Sequence, residues 1–206
     1  MRLNQIAKFN QIAVNNSKQF DGIASFLLRL YLSPVLIQAG WTKMVNFDQT
    51  VEWFGGTEFG LGLPLPEIMV LLATSAELVG GVLILVGLFT RIACIPLMIT
   101  MLVAALSTHI KNGWLAIADS NSWLADGTIF YNQSVMEAAE KKEMAISILQ
   151  QYGHYDWLTS SGSFVILNNG IEFSITYLIM LLALFFLGGG RYVSFDYYLT
   201  RRFLNT

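Results

Sequence analysis

Residues 67–88 of the chain read EIMVLLATSAELVGGVLILVGL, and residues 92–108 read IACIPLMITMLVAALST. Both runs are mostly apolar and close to the roughly 20 residues that a helix needs to cross about 30 Å of hydrocarbon. Only Phe89, Thr90 and Arg91 separate the two runs, so the connection is too short to leave the membrane for long. The stretch predicts a transmembrane helical hairpin, Glu67–Leu88 and Ile92–Thr108.

Two further apolar runs, Gly22–Thr42 and Gly170–Leu187, bring the number of predicted spans to four. The chain of 206 residues is 54% hydrophobic and 13% charged, whereas an average soluble domain is roughly 45–50% apolar and 25% charged. The sequence therefore predicts an all-α membrane protein, a four-transmembrane-helix bundle built as a single domain over residues 1–206. A lone cysteine, Cys94, excludes dithiol chemistry, and a net charge of -2 offers no footprint for nucleic acid.

The first 20 residues contain basic side chains but no apolar run followed by a small-residue cleavage site, so the first span is expected to stay in the mature protein. Leu3, Ile6 and Ala13 would lie loosely on one face of a helix. Two interpretations remain open for this segment: a helix resting on the cytoplasmic membrane surface, or a solvated tail.

The basic residues predict the orientation, because Lys and Arg near span ends are retained in the cytoplasm. With both termini inside, the cytoplasmic side holds Arg2, Lys8, Lys18, Arg91, Arg191, Arg201 and Arg202. Most of the acidic residues then fall on the opposite side. The prediction is a multi-pass protein of the bacterial inner (cytoplasmic) membrane with an N-in, C-in topology.

The outward loop of residues 110–169 contains its own helix signals. Ser134 and Glu137 have the spacing of a capping box, and Gly153 is a typical helix stop, so a helix is expected over Val135–Tyr152. The loop is predicted to form a helical extramembrane cap over the bundle mouth. Alternatively, its aromatic residues only anchor it at the membrane interface.

Glu77 lies near the middle of its predicted span, where a charge costs roughly 2.5–3.5 kcal/mol on insertion scales. It should therefore face the bundle interior with a partner, on a helix face that it shares with Gly80. Arg29, about one helical turn away in depth, is the expected partner. The pair could serve packing alone, or it could handle a proton or a ligand.

A second polar group is expected at the outer ends of three spans. Gln38 and Lys43 close the first span, His109 closes the third, and Glu172 begins the fourth. Because these positions share one level, they could line a cavity that opens outward. Each of them could also be an unrelated interfacial residue.

Metal and haem sites find little support in the sequence. Met98, Met101 and His109 fall on one helix face and could ligate Cu(I), but a Met stripe is more often core packing, so no metal site is predicted. Only His109 and His154 could hold a haem, and they lie on different elements, which disfavours haem. Copper and quinone stay open as cofactors.

A family resemblance covers all four spans, from Phe26 to Leu199. The run AELVGGVLILVGLFTR, Ala76 to Arg91, and the closing GGGRYVSFD resemble the DoxX family of small four-span membrane proteins most specifically. The resemblance implies that the family's polar positions fall on Arg29, Lys43, Glu77, Arg91, His109 and Glu172. The wider family includes a subunit of thiosulfate:quinone oxidoreductase, which implies redox work with a quinone.

Pieces of the long loop, NGWLAIAD, ILQQYGHYDWL and GSFVILNNGIEF, resemble the HvfX branch of this family. That branch is associated with ribosomally made, modified copper-binding peptides (bufferins) and with the enzymes that modify them. The resemblance implies a part in maturation of these peptides (RiPP maturation) or in their handling at the inner membrane.

Three functions follow as hypotheses. The first is an accessory protein for maturation or handling of copper-binding modified peptides, coupled to quinone redox chemistry. The others are a quinone-linked oxidoreductase subunit acting on a small sulfur compound or thiol, and a non-enzymatic peptide receptor or transporter. The assigned residues are Glu77, His109 and Glu172 as catalytic, and Arg29, Gln38, Lys43 and Arg91 as ligand-binding. Catalytic activity of the protein alone and homo-oligomer formation are left open.

Overall fold

The structure is a computed structural model that describes residues 22–58 and 60–203, together with residues 11 and 20. Over those residues the regular structure is helical, and extended segments meet only at two isolated β-bridges. This agrees with the predicted all-α membrane protein. The predictions for Leu3, Ile6 and Ala13 lie outside the described residues.

The helices are numbered here in chain order. They are α1 Ile23–Val45, α2 Phe47–Gly55, α3 Pro66–Val86, α4 Thr90–Ala104, α5 Gln133–Tyr152, α6 Tyr155–Leu158, α7 Glu172–Leu187 and α8 Phe195–Phe203. A π-helical turn, Ala105–His109, and a 3-10 turn, Ile110–Asn112, continue α4 without a break. The sequence did not predict α2 or α8 as helices.

Among the described residues, three helical segments are long and apolar enough to cross a membrane: Ile23–Val45, Pro66–Val86 and Thr90–Asn112, with 23, 21 and 23 residues. They correspond to the first three predicted spans, with ends shifted by up to four residues. The fourth predicted span, Gly170–Leu187, forms α7, which has 16 residues. At 1.5 Å per residue α7 is about 24 Å long, short of a full crossing, so the four-span count stays a prediction.

The chain divides into two compact units, one from residues 1–100 and 178–206 and one from residues 101–177. In the first unit the buried core consists largely of branched aliphatic side chains: Leu32, Leu36, Val70, Ile84, Leu97, Leu181 and Leu184. Apart from Met101, the core of the second unit consists of smaller side chains: Ala105, Ala116, Ala125, Val135 and Ala138.

Glycines bring the helices of the first unit close together. A Cβ at Gly40 of α1 would lie 2.9 Å from a backbone nitrogen of α3, and one at Gly81 of α3 would lie 2.8 Å from a side-chain carbon of α1. On the neighbouring face of α3, a Cβ at Gly80 would lie 3.0 Å from Leu97 of α4. Small residues thus let α3 pack closely against two helices at once.

The predicted hairpin is formed by α3 and α4. Gly87, at φ +67°, ends α3, and the N–H of Leu88 donates to the carbonyl of Leu83 at 2.9 Å, as in a Schellman motif. Helix α4 then begins at Thr90. The connection is therefore residues 87–89, two residues earlier than the sequence predicted.

In the second unit, the helix expected over Val135–Tyr152 is present and ends before Gly153 as predicted, but it begins at Gln133. The predicted capping box is wrong. Asn132 is the N-cap, and its Oδ1 accepts the N–H of Val135 at 3.3 Å and the hydroxyl of Ser134 at 2.7 Å. Asn is at least as good an N-cap as Ser, so the helix starts from the earlier residue.

Candidate functional site

Glu77 is held in an ion pair with Lys43. The distance from Lys43 Nζ to Glu77 Oε2 is 2.6 Å, and the two side chains are 24% and 3% exposed. Glu77 lies in the middle of α3, so the carboxylate is a charge placed among apolar helices. Pairing with an ammonium offsets much of the free-energy cost of burying that charge.

Helix geometry explains why Lys43 reaches a residue in the middle of the neighbouring helix. Gly40, one turn before Lys43, lies level with Glu77, since a Cβ at Gly40 would lie 3.0 Å from the Glu77 Cβ. Side chains on a helix lean toward its N-terminus, so Lys43 runs back along α1 toward that level. Because Gly40 has no side chain, α1 and α3 approach closely at this level.

The predicted pairing of Arg29 with Glu77 is wrong. Arg29 precedes Gly40 by 11 residues, which places it about 16 Å along α1 from the level of Glu77. The same lean toward the helix N-terminus carries the Arg29 side chain away from Glu77. Its guanidinium lies at the other end of the first unit, and the side chain is almost fully buried.

Arg29 binds backbone carbonyl groups from two segments. Its Nη1 donates to Leu85 O at 3.2 Å and to Val193 O at 3.0 Å, and its Nη2 donates to Tyr192 O at 2.6 Å. Leu85 lies in the last turn of α3, where carbonyls lack intrahelical partners and the helix dipole is negative. The buried cation therefore stabilises the end of α3 and ties it to residues 192–193.

Asp196 also binds the segment that connects α3 to α4. Its Oδ1 accepts the N–H of Phe89 at 2.7 Å, and its Oδ2 accepts the N–H of Thr90 at 2.9 Å. Gly87 O in turn accepts the N–H of Asp196 at 2.8 Å and the hydroxyl of Ser194 at 3.1 Å. The carboxylate thus caps the N-terminus of α4 from more than 100 residues along the chain.

The junction of Arg29, Gly87 and Asp196 joins the two stretches of sequence that resemble the DoxX family most specifically. No signal in either stretch indicates that they meet, because each contact links residues far apart in sequence. The tight fit shows at Gly87, where a Cβ would overlap Arg29 Nη1 and approach Ser194 Oγ to 2.8 Å.

Arg91 lies beside this junction rather than inside it. Its side chain is exposed, and its Nη2 donates to Phe186 O at 3.2 Å. A cavity of about 960 Å³ opens here, lined among others by Arg91, Arg191 and the glycines 188–190. The sequence had predicted a cavity at the opposite end of the spans, near Lys43.

His109 and Glu172 both lie in the second unit, and each is partly buried. His109 Nδ1 is 2.9 Å from Asn169 O, and Glu172 Oε2 accepts the N–H of Ala116 at 2.9 Å. These contacts order the start of α7 and the end of the α4 segment. Lys43 belongs to the first unit, so a site shared by Lys43, His109 and Glu172 stays a prediction. Gln38 is exposed on α1.

Two buried hydroxyls, one on α3 and one on α1, were not predicted from the sequence. Thr74, one turn from Glu77 on α3, is 6% exposed, and Ser33 on α1 is 0% exposed. Neither hydroxyl oxygen has a hydrogen-bond partner among the described residues. Among all residues that the structure describes, no three His, Cys, Asp or Glu side chains lie together as a metal site would need. Thr and Ser are common in membrane helices, so composition gave no signal for these positions.

Comparison with known proteins places this architecture in a family. The DoxX family model matches residues 24–110, and the "Putative oxidoreductase CatD" of Bacillus subtilis (strain 168) is 28% identical over 103 residues, 50% of this chain and 72% of that protein. The "Inner membrane protein YphA" of Escherichia coli (strain K12) is 30% identical over 102 residues, 47% of this chain and 67% of that protein. The chain belongs to the DoxX family.

The DoxX match runs from the first turn of α1 to the end of the α4 segment. It therefore includes Arg29, Lys43, Glu77, Arg91 and His109, while Glu172 and Asp196 lie beyond it. No solved structure matches the chain.

Proposed function

We propose that this DoxX protein is an inner-membrane redox accessory protein that takes part in maturation or handling of copper-binding modified peptides and is coupled to quinone chemistry. The observation that carries the redox part is the buried ion pair of Lys43 and Glu77, 2.6 Å apart inside an apolar helix bundle. A quinone, when bound, supplies a two-electron, two-proton acceptor. The chain supplies groups that bind its oxygen atoms and hold protons.

The residues around the ion pair fit such a ligand. Lys43 has three N–H donors, of which one is directed at Glu77. The Thr74 hydroxyl, one turn away on the face of Glu77, is buried without a partner among the described residues. Lys43 and Thr74 would donate to quinone oxygens, and the Glu77 carboxylate would accept or release a proton beside them.

The pathway is proposed from the resemblance of the long loop to the HvfX branch. Residues 110–169 would form the peptide-facing cap, for which the exposed charged residues of α5 give support: Glu140, Lys141 and Glu143.

A second candidate is a quinone-linked oxidoreductase subunit that acts on a sulfur compound or thiol. The name of the relative CatD, which describes an oxidoreductase, favours it. Genes for a short Cys-rich peptide and an iron oxygenase beside this gene would favour the first.

We also propose the N-in, C-in topology with α7 as a fourth, shorter span. The end of the first unit formed by the α3–α4 connection and α8 carries Arg91, Arg191, Arg201 and Arg202. The opposite end carries Asp48, Glu52, Glu58 and Glu67. This division of charge supports a cytoplasmic position for the basic end.

The redox proposal is tested by quinone binding to the purified protein. A soluble short-chain quinone is titrated while tryptophan fluorescence is followed, since Trp41 lies two residues from Lys43. Glu77→Gln and Lys43→Met should each raise the dissociation constant about tenfold, the effect of losing one charge-assisted hydrogen bond. The matched control is Glu137→Gln with Lys141→Met, which removes an exposed ion pair of 2.7 Å. Equal affinity in all these proteins would contradict the proposal.

The proposed functional roles of His109 and Glu172 have their own test. His109→Ala and Glu172→Gln should lower copper tolerance or peptide maturation in cells that depend on the pathway, at normal expression. The site assignment fails if both variants keep full function. In that case the quinone titration still reports on the Lys43–Glu77 pair separately.

A further inference from the structure

The cavity of about 960 Å³ lies at the end of the first unit away from the Lys43–Glu77 pair. Its walls are the start of α1, the α3–α4 connection, the glycines 188–190 and the first two turns of α8. Its size is at the upper end of the range for small-molecule sites. Nothing in the proposed redox role uses this cavity.

The charged lining of the cavity favours an anion. Arg91 and Arg191 both line it, and both side chains are exposed. The carboxylate of Asp196 also lines it, but that group accepts the N–H groups of Phe89 and Thr90 at the start of α4. A guanidinium carries five N–H donors in a planar fork that suits phosphate oxygens.

Part of the remaining wall is apolar and exposed. Phe89, Ile92 and Leu187 are 55%, 66% and 51% exposed. Helix α8, which forms one side of the cavity, exposes Phe195 and Phe203 and ends with Arg201 and Arg202. Apolar side chains beside a basic end are typical of a helix lying in the membrane interface. The cavity thus offers cations at its mouth and hydrocarbon-like surface next to them.

We propose that this cavity binds an anionic phospholipid, with its phosphate between Arg91 and Arg191 and its acyl chains along Ile92 and Leu187. Charge and position argue for this occupant together. In the proposed N-in, C-in topology this end is cytoplasmic, where basic pockets between membrane helices bind anionic headgroups, and the apolar wall would favour a lipid over a free anion. The bound lipid would hold α8 and the glycine segment 188–190 against the α3–α4 connection.

The experiment is a lipid titration of the detergent-solubilised, full-length protein by native mass spectrometry. The probes are phosphatidylglycerol, phosphatidylcholine with the same acyl chains, and inorganic phosphate. We expect tighter binding of phosphatidylglycerol than of phosphatidylcholine. The variant Arg91→Gln with Arg191→Gln should weaken phosphatidylglycerol binding about 25-fold, or about fivefold for each arginine removed.

The matched control is Arg201→Gln with Arg202→Gln, which removes the same charge from α8 without touching the cavity lining. It should change phosphatidylglycerol binding less than twofold. Because Arg91 also donates to Phe186 O, two further variants guard against misfolding. Arg91→Lys should keep the lipid preference. Ala24→Trp, which narrows the cavity and leaves every charge in place, should weaken binding.

Three results would overturn the proposal. One is equal weakening by the two double variants, which would mean nonspecific attraction to the basic end. Another is equal binding of the two phospholipids. The third is displacement of phosphatidylglycerol by millimolar inorganic phosphate, which would indicate a site for a free anion.

Discussion

Lys43 and Glu77 form one ion pair but differ in their access to solvent, with side chains 24% and 3% exposed. If the glutamate is neutralised, the lysine can turn toward the C-terminal end of α1 and regain water. If the lysine is removed, the carboxylate stays in the bundle without its cation. The two single substitutions therefore have unequal consequences.

We expect Lys43→Met to lower the free energy of unfolding by about 3–5 kcal/mol, as for other buried charges left unpaired. Glu77→Gln should cost less, and the double variant should be less destabilised than Lys43→Met alone. Detergent-induced unfolding followed by circular dichroism measures all three. The solvent-exposed pair Glu137 and Lys141 serves as the control, and its removal should change the free energy of unfolding little. Equal losses in the three variants would mean that the pair is not coupled.

Glycine can be required by a positive φ angle alone, or also by a close neighbouring group. Gly87 and Gly62 allow the two effects to be compared. Their φ angles are +67° and +61°, but a Cβ at Gly87 would overlap Arg29 Nη1, while one at Gly62 would meet nothing within 4 Å. Gly62→Ala should cost about 1–2 kcal/mol from the left-handed backbone alone. Gly87→Ala should cost clearly more in the same unfolding measurement, because Arg29 must also leave its carbonyl partners. Equal costs would contradict the close approach.

Helix α4 depends on an N-terminal cap that is supplied by a residue far away in sequence. The carboxylate of Asp196 accepts two N–H groups at the start of α4 and lies at the N-terminus of α8 as well. One side chain therefore stabilises the starts of two helices.

Asp196→Ala should lower the free energy of unfolding by about 1–2 kcal/mol, as for other lost N-caps. Hydrogen exchange should accelerate most at the amides of Phe89 and Thr90. Asp196→Asn keeps one acceptor oxygen and should lose less. The cap assignment fails if exchange at these two amides is unchanged in Asp196→Ala.

Helix α5 carries a pH-dependent contact. Hydrogen bonds from Lys141 at 2.7 Å and Gln133 at 2.8 Å, together with the lysine charge, hold the pKa of Glu137 below its ordinary value. A lowered pKa means that the carboxylate stabilises α5 above the ordinary pKa of about 4.3. This contribution is lost as the pH falls through the lowered pKa of the folded protein.

The pH effect is measured by NMR titration of the Glu137 carboxyl carbon. The midpoint should lie below the ordinary glutamate pKa of about 4.3, and Lys141→Met should raise it. An unchanged midpoint in the variant would show that the lysine contact does not persist in solution.

The proposed topology of the whole molecule is based on the arginines that gather at one end of the first unit. In a Cys94→Ala background, a cysteine at Asp126 should react with a membrane-impermeant probe from the periplasm, and one at Asn205 should not. Cys94 is fully buried, and its replacement by alanine removes a single sulfur atom, so the fold should stay intact. Reversed accessibility of the two positions would refute the N-in, C-in topology.

Much of the architecture could be predicted from the sequence alone. Length and hydropathy identified the three long apolar helices, because the hydrocarbon thickness sets the length of a spanning helix. The short link between residues 88 and 92 indicated the hairpin, and Gly153 marked the end of α5. Each of these features depends on residues that are close together in sequence, so each can be recognised from the sequence directly.

The partners of the buried charges came only from the tertiary structure. The sequence singled out Glu77 and Arg29 as ionisable groups at membrane depth, but it paired them wrongly. The lean of side chains toward the helix N-terminus sends Lys43 toward Glu77 and Arg29 away from it. The cap of α4 by Asp196 likewise joins residues more than 100 positions apart. A linear pattern shows that a buried charge needs a partner, but helix direction and packing decide which group can reach it.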